Sequence, residues 1–185
     1  MLRALALVLV LASAPGCLVL SLHPAYDDET IAWEPALVGS WLASDDKVTM
    51  DVGRGEWKSY RIRFVHPSET ATVTAYLTVV GDSHYLDVMP ARGEDRGSFL
   101  VPAHAVLRLH LEDDRLEVTP LSYDWLYDRI RARQPVAGLN VVQDQKENAL
   151  IVSPTARLRA WLRGLPSTGP MFGAPAVFTR KKPDA

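Results

Sequence analysis

Between Lys47 and Leu121 apolar residues recur at every second position, and the interruptions are only a few residues long. Successive side chains of an extended strand point to opposite faces, so this alternation describes strands with one buried and one wet face. Val48, Met50 and Val52 alternate with Lys47, Thr49 and Asp51; Tyr60, Ile62 and Phe64 alternate with Ser59, Arg61 and Arg63. The longest run sets Ala71, Val73, Ala75, Leu77 and Val79 against Thr70, Thr72, Thr74, Tyr76 and Thr78, and Tyr85 to Met89 follows it. The breaks at Gly53-Arg54-Gly55, Pro67-Ser68 and Gly81-Asp82-Ser83 are far too short for parallel crossovers, so neighbouring strands must pair antiparallel. After a polar loop from Pro90 to Ser98, Ala105, Leu107, Leu109 and Leu111 mark a further strand, and Leu116, Val118 and Leu121 another.

Two helices interrupt this pattern. Ser122 can cap a segment reaching about Arg133, with Asp124 near its positive end and Arg129, Arg131 and Arg133 near its negative end. Pro135 and Gly138 stop it, and short strands follow at Leu139–Gln143 and Ala149–Val152. Ser153-Pro154 opens the second helix, whose Leu158, Trp161, Leu162 and Leu165 form an i, i+3, i+4, i+7 stripe. Ala176 to Arg180 reads as a closing strand. The fold class is therefore mainly β (α+β), with two short helices added to either an antiparallel barrel or a strongly curled sheet.

The N-terminus has a different design. Met1-Leu2-Arg3 is a short basic opening, Ala4 to Ala12 is apolar, and Ser13-Ala14-Pro15-Gly16 precedes Cys17, the only cysteine. The series resembles the signal peptide and lipobox of bacterial lipoproteins. That resemblance implies cleavage between Gly16 and Cys17 and a Cys17 carrying several acyl chains, palmitate among them, which together hold a membrane firmly. A plain secretory signal and an uncleaved anchor are the alternatives, the latter because Ala4 to Leu22 is a nearly continuous apolar run. The chain then divides into a signal peptide (1–16), a lipidated tether and N-terminal arm (17–36), a β-rich domain (37–182) and a tail (183–185). Leu18 follows the cysteine where an Asp would be the usual inner-membrane retention signal. The expected location is the cell envelope, with the outer membrane favoured and the domain facing the periplasm or the exterior.

Gly39-Ser40-Trp41, directly before the β region, resembles the G-x-W opening of the lipocalin-like (calycin) barrels. The resemblance implies that Trp41 packs across a barrel floor and that Arg180, near the last strand, covers its ring. It also implies an interior that can hold a small apolar or amphipathic ligand or be filled by side chains. The helix at Ser122 falls after only some six strands and a second follows at Thr155, which keeps the curled sheet open as the other architecture. Ser21-Leu22-His23-Pro24-Ala25-Tyr26, Leu37 to Trp41, Tyr85-Leu86-Asp87 and Ser153-Pro154-Thr155 look like a group of uncharacterised bacterial lipoproteins.

Chemistry-bearing residues are sparse. A net charge of −2 makes nucleic acid an unexpected partner. Gly81-Asp82-Ser83-His84 is similar to the serine block of GDS-type hydrolases, but it joins two strands and no Asp-x-x-His follows near the C-terminus, so it reads as a hairpin turn. His104 and His110 lie six residues apart along one strand, about 20 Å, too far to share a metal. Asp45-Asp46 and Asp113-Asp114 read as solvated turns. No catalytic residue, cofactor or metal is therefore expected, and the chain reads as a non-enzyme. Arg129, Arg131 and Arg133 on one helix, with Arg157, Arg159 and Arg163 on the other, form a candidate membrane or partner face. The functional expectation is an envelope lipoprotein binding a small apolar or amphipathic ligand. The alternative is an interaction or structural module, without a ligand cavity, that meets another envelope protein.

Overall fold

A computed structural model describes residues 19–44, 47–91, 102–145 and 147–182. Gly16, Cys17, the Asp45-Asp46 pair, most of the Pro90–Ser98 loop and the 183–185 tail lie outside the described residues.

Eight strands close into an antiparallel barrel: β3 (Gly39–Ala43), β4 (Thr49–Arg54), β5 (Ser59–His66), β6 (Glu69–Val80), β7 (Ser83–Pro90), β8 (Ala105–Glu112), β9 (Arg115–Pro120) and β12 (Ala176–Arg180). Neighbours in sequence pair with one another from β3 to β9, and β12 inserts between β9 and β3 to complete the ring. The barrel, and not the open curled sheet, is thus the architecture. β6 is the longest strand, and its length lets it pair with β5 over residues 69–76 and with β7 over 73–80. The short β2 (Ile31–Ala32) pairs with Leu77 and Thr78 of β6, beyond the end of its pairing with β5.

The period-two pattern decides what fills the ring. Trp41, Met50, Tyr60, Ile62, Phe64, Val73, Leu77, Leu86, Val88, Leu109, Leu116, Val118 and Phe178 point inward and form one buried cluster to which all eight strands contribute. At about 25 cal/mol per Å² of apolar surface, burying each of these side chains stabilises the barrel by some 1.5–3 kcal/mol. One turn differs from the sequence reading. Gly53 and Arg54 stay in the ladder opposite Arg61 and Tyr60, so the β4–β5 turn is displaced to residues 55–58.

A second layer covers part of the outer wall. β1 (Val19–Ser21) pairs in parallel with β11 (Ala149–Ile151), which pairs with β10 (Val141–Gln143). With α1 (Tyr123–Arg131) and α2 (Thr155–Arg163), this small sheet buries Val19, Leu126, Ile151, Leu158 and Leu162 against Val80, Tyr85 and Val106, whose side chains leave the barrel outward. Ser122 caps α1 by accepting the Trp125 N–H at 3.3 Å. Ser153 does not cap α2; its hydroxyl accepts the Asn140 N–H at 2.7 Å and ties the helix start to the β10 side. Val19 starts β1, so the folded layer begins two residues after Cys17. Among the described residues no helix is long and apolar enough to cross a membrane.

Candidate functional site

At one end of the barrel a 3-10 turn (Pro35–Leu37) lies beside the start of β3, and Trp41 is fully buried behind it. Its indole N–H donates to the Leu37 carbonyl at 2.9 Å. The Arg180 guanidinium lies 4.2 Å from the centre of the Trp41 ring and uses every face of its fork. It donates to the Val38 carbonyl (3.1 Å), the Ala36 carbonyl (2.5 Å) and the Asp114 carboxylate (3.0 Å). Gly39 has φ +142°, and a Cβ there would meet Arg180 Nη1 at 2.7 Å. Gly39, Trp41 and Arg180 thus form one interlocked closure, which explains why glycine stands two residues before the tryptophan. Each of its three nitrogens donates to the protein itself, and the guanidinium lies on the Trp41 ring, so Arg180 serves to close the floor.

Tyr60 rises from the same end into the core. Its hydroxyl accepts the Glu34 N–H at 2.7 Å, and its ring stacks on Trp33 with centroids 4.5 Å apart. Burial pushes the Tyr60 phenol above its usual range, and Tyr85 is raised for the same reason.

The outer wall holds the most buried polar chemistry. Asp87 points outward from β7 yet is fully buried, because the N-terminal arm crosses it. The Ala25 N–H donates to one carboxylate oxygen at 2.6 Å, and His104 Nδ1 lies 2.6 Å from the other. His104 does not stand free on a wet strand face as its place in the sequence suggested: its backbone bridges Ser21 of β1 just before β8. The Tyr26 ring packs against Tyr76 at 4.5 Å and edge-on to His104 at 6.3 Å. Burial first, and the Asp87 charge second, push the Tyr26 phenol up to about 12. The cluster fixes the arm to the barrel; among the described residues no nucleophile is hydrogen-bonded to His104.

The structure also corrects the candidate arginine face. Arg159 is buried and donates to the carbonyls of Ala25 (2.7 Å) and Val79 (3.0 Å) and to the Thr78 hydroxyl (3.0 Å), with Asp27 3.7 Å away. It pins α2 to the arm and to β6, so it is not available to a membrane or partner. Arg131, Arg133, Arg157 and Arg163 are exposed. Arg129 lies half-buried with its guanidinium 4.4 Å from the Trp125 ring. On α1 the exposed Asp124 and Asp128 accompany these cations, so the six arginines do not make one uniform cationic face.

Gly81-Asp82 is the β6–β7 hairpin loop, with Gly81 at φ +61°, and Ser83 and His84 begin β7. Among the described residues no cluster of three His, Cys, Asp or Glu side chains is placed to hold a metal. Two grooves mark the exterior. One, of about 280 Å³, lies at His84, Arg108, His110 and Glu117. The other, of about 380 Å³, lies between the β4–β5 hairpin and the outer faces of β6 and β7, at Arg54, Glu56, Arg61, Thr74 and Tyr76. In the sequence Arg54 reads as part of a turn, and Arg61, Thr74 and Tyr76 read as the wet half of ordinary strands. Such positions carry polar residues as a rule, so no local signal sets them apart. No protein-family model matches the chain, and no curated protein or solved structure shows significant similarity to it.

Proposed function

We propose that the chain is a lipid-anchored protein of the bacterial envelope whose barrel serves as a rigid recognition module working through its outer surface. The observation that carries this reading is the filled interior: inward side chains from all eight strands, Trp41, Tyr60 and Phe178 among them, form one continuous buried cluster. A barrel of eight strands is just wide enough to be filled in this way, and a filled barrel is a scaffold more than a container. An internal apolar cargo, the other expectation, would have to displace these side chains. The lipobox-like series ending in Gly16-Cys17 supports the anchor, and the start of β1 at Val19 adds a consequence. Two residues span at most about 7 Å, so acyl chains on Cys17 would hold the domain close against the membrane surface.

Two measurements test the proposal. Inhibition of signal peptidase II, or Cys17→Ser, should leave an unprocessed precursor and remove the acylated form; normal processing in either case overturns the anchor. Native mass spectrometry of the full chain purified from its source should show the protein without a co-purified lipid in the barrel. A stoichiometric apolar passenger would return the barrel to the carrier reading.

A further inference from the structure

The 380 Å³ groove beside the β4–β5 hairpin is of the size that takes small molecules. Its lining combines two cations, one carboxylate and free hydroxyls. Arg54 and Arg61 make no ion pair among the described residues, unlike the neighbouring Arg63, which pairs with Asp51. Arg54 is also held in place: its guanidinium lies 5.2 Å from the Trp33 ring, which stacks on Tyr60, which is tied to the Glu34 backbone. Ordering a long side chain before a ligand arrives removes an entropic cost of binding. Thr74 and Tyr76 lie on the groove wall, and their hydroxyls make no hydrogen bond within the described residues.

The turn that forms the rim is itself rigid. The Gly55 N–H donates to the Ser59 carbonyl at 2.8 Å, and the Ser59 N–H and hydroxyl donate back to the Glu56 carbonyl at 3.1 and 2.6 Å. A Cβ at Gly55 would meet Ser59 Oγ at 2.3 Å, so the turn admits only glycine there. This frame holds Trp57 at φ +53° with 57 % of its surface exposed. A bulky residue in left-handed backbone is strained, and such strain persists only where the surroundings impose it. Here it displays a flat apolar face beside Lys58, whose Nζ lies 5.9 Å from the ring centre, and outside the residues that line the groove.

We propose that this groove binds a small hydroxylated molecule carrying one anionic group, such as a sugar acid or a sugar phosphate. Arg54 and Arg61 would grip the anion, whose planar or tetrahedral oxygens suit a guanidinium fork. Glu56, Thr74 and Tyr76 would take the hydroxyls. The single carboxylate of Glu56 disfavours polyanions, and the two arginines disfavour neutral sugars. The proposal rests on recognition by the outer wall and does not depend on the lipid.

Isothermal titration of the full chain, in a non-ionic detergent free of sugar, with glucuronate, glucose 6-phosphate and glucose tests it. At least one of the two anionic sugars should bind with a dissociation constant of about 1 mM, the class expected of a small ligand in an open site, and glucose at least ten times more weakly. Arg54→Gln and Arg61→Gln should each weaken that binding about tenfold while leaving the circular dichroism unchanged. Arg63→Gln, which removes the same charge outside the groove, should leave it as it was. Equal binding of all three sugars, no binding of either anion well above millimolar concentration, or an equal loss from Arg63→Gln would each overturn the proposal. Normal lipid processing alongside such a failure would leave the envelope reading standing and remove only the site.

Discussion

Gly39 and Asp87 show how far single residues set this fold. A side chain at Gly39 would collide with the Arg180 guanidinium and would also have to adopt φ +142°. Gly39→Ala should therefore lower stability by about 1–3 kcal/mol, read as a lower urea midpoint, whereas Ser40→Ala should cost less than half of that. Asp87 is fully buried and paired on both oxygens, so Asp87→Ala leaves the Ala25 N–H and His104 without their partner, a loss of about 3–5 kcal/mol. The arm should loosen with it, seen as faster amide exchange at Ala25; unchanged exchange there would show that the arm is held by other contacts. Tyr26 sets the alkaline limit. Its folded pKa is raised to about 12 against about 10 in the unfolded chain, so the folded state keeps its proton while the unfolded state loses it. Its contribution is complete below about pH 10 and is lost as pH rises from 10 to 12. Urea midpoints should fall over that window, and Tyr26→Phe should flatten the fall, Tyr60 and Tyr85 supplying the remainder.

Elements differ in how plainly the sequence announces them. β4 to β9 were legible because one wet and one dry face impose a period of two, and α2 was legible because Leu158 and Leu162 repeat at helical spacing. β1 and β2 have three and two residues, too few to display any period, and both are created by distant partners: β11 and His104 for one, β6 for the other. The same distance effect hid the burial of Asp87 and Arg159. Each stands beside, not within, an apolar stripe, and each is covered by the arm, which local pattern cannot foresee. The groove was hidden for the opposite reason. Arg61, Thr74 and Tyr76 occupy outward positions where polar residues are the rule, and Arg54 stands at the end of β4, opposite Tyr60, where a turn was expected. Arg159 now assigns a clear dependence to α2. Arg159→Leu removes four polar contacts and leaves the carbonyls of Ala25 and Val79 without that donor, so α2 should exchange its amides faster while the barrel strands keep their protection. Equal acceleration in β4 and β5 would show that the outer layer and the barrel open as one unit.

At the scale of the whole molecule, closure depends on the last strand. β12 comes from the end of the described chain and sits between β3 and β9, which are each other's nearest free edges without it. Everything from Leu121 to Pro175, including α1, β10, β11 and α2, must be traversed before that strand can insert. Contacts between such distant segments cost loop entropy before they return any stabilisation, so this topology favours slow folding. A chain ending after Pro175 keeps seven barrel strands but loses Phe178 from the core and Arg180 from the floor. Both β3 and β9 then present unpaired backbone, and open edges of that kind recruit other chains. The truncated protein should bind a hydrophobic dye and run as oligomers in gel filtration, where the full chain should do neither. Arg180→Ala separates the two causes, because it removes the lid over Trp41 while leaving the strand in place. It should lower the urea midpoint yet remain monomeric; oligomers from that variant would show that the floor, and not the missing strand, is what keeps the ring shut.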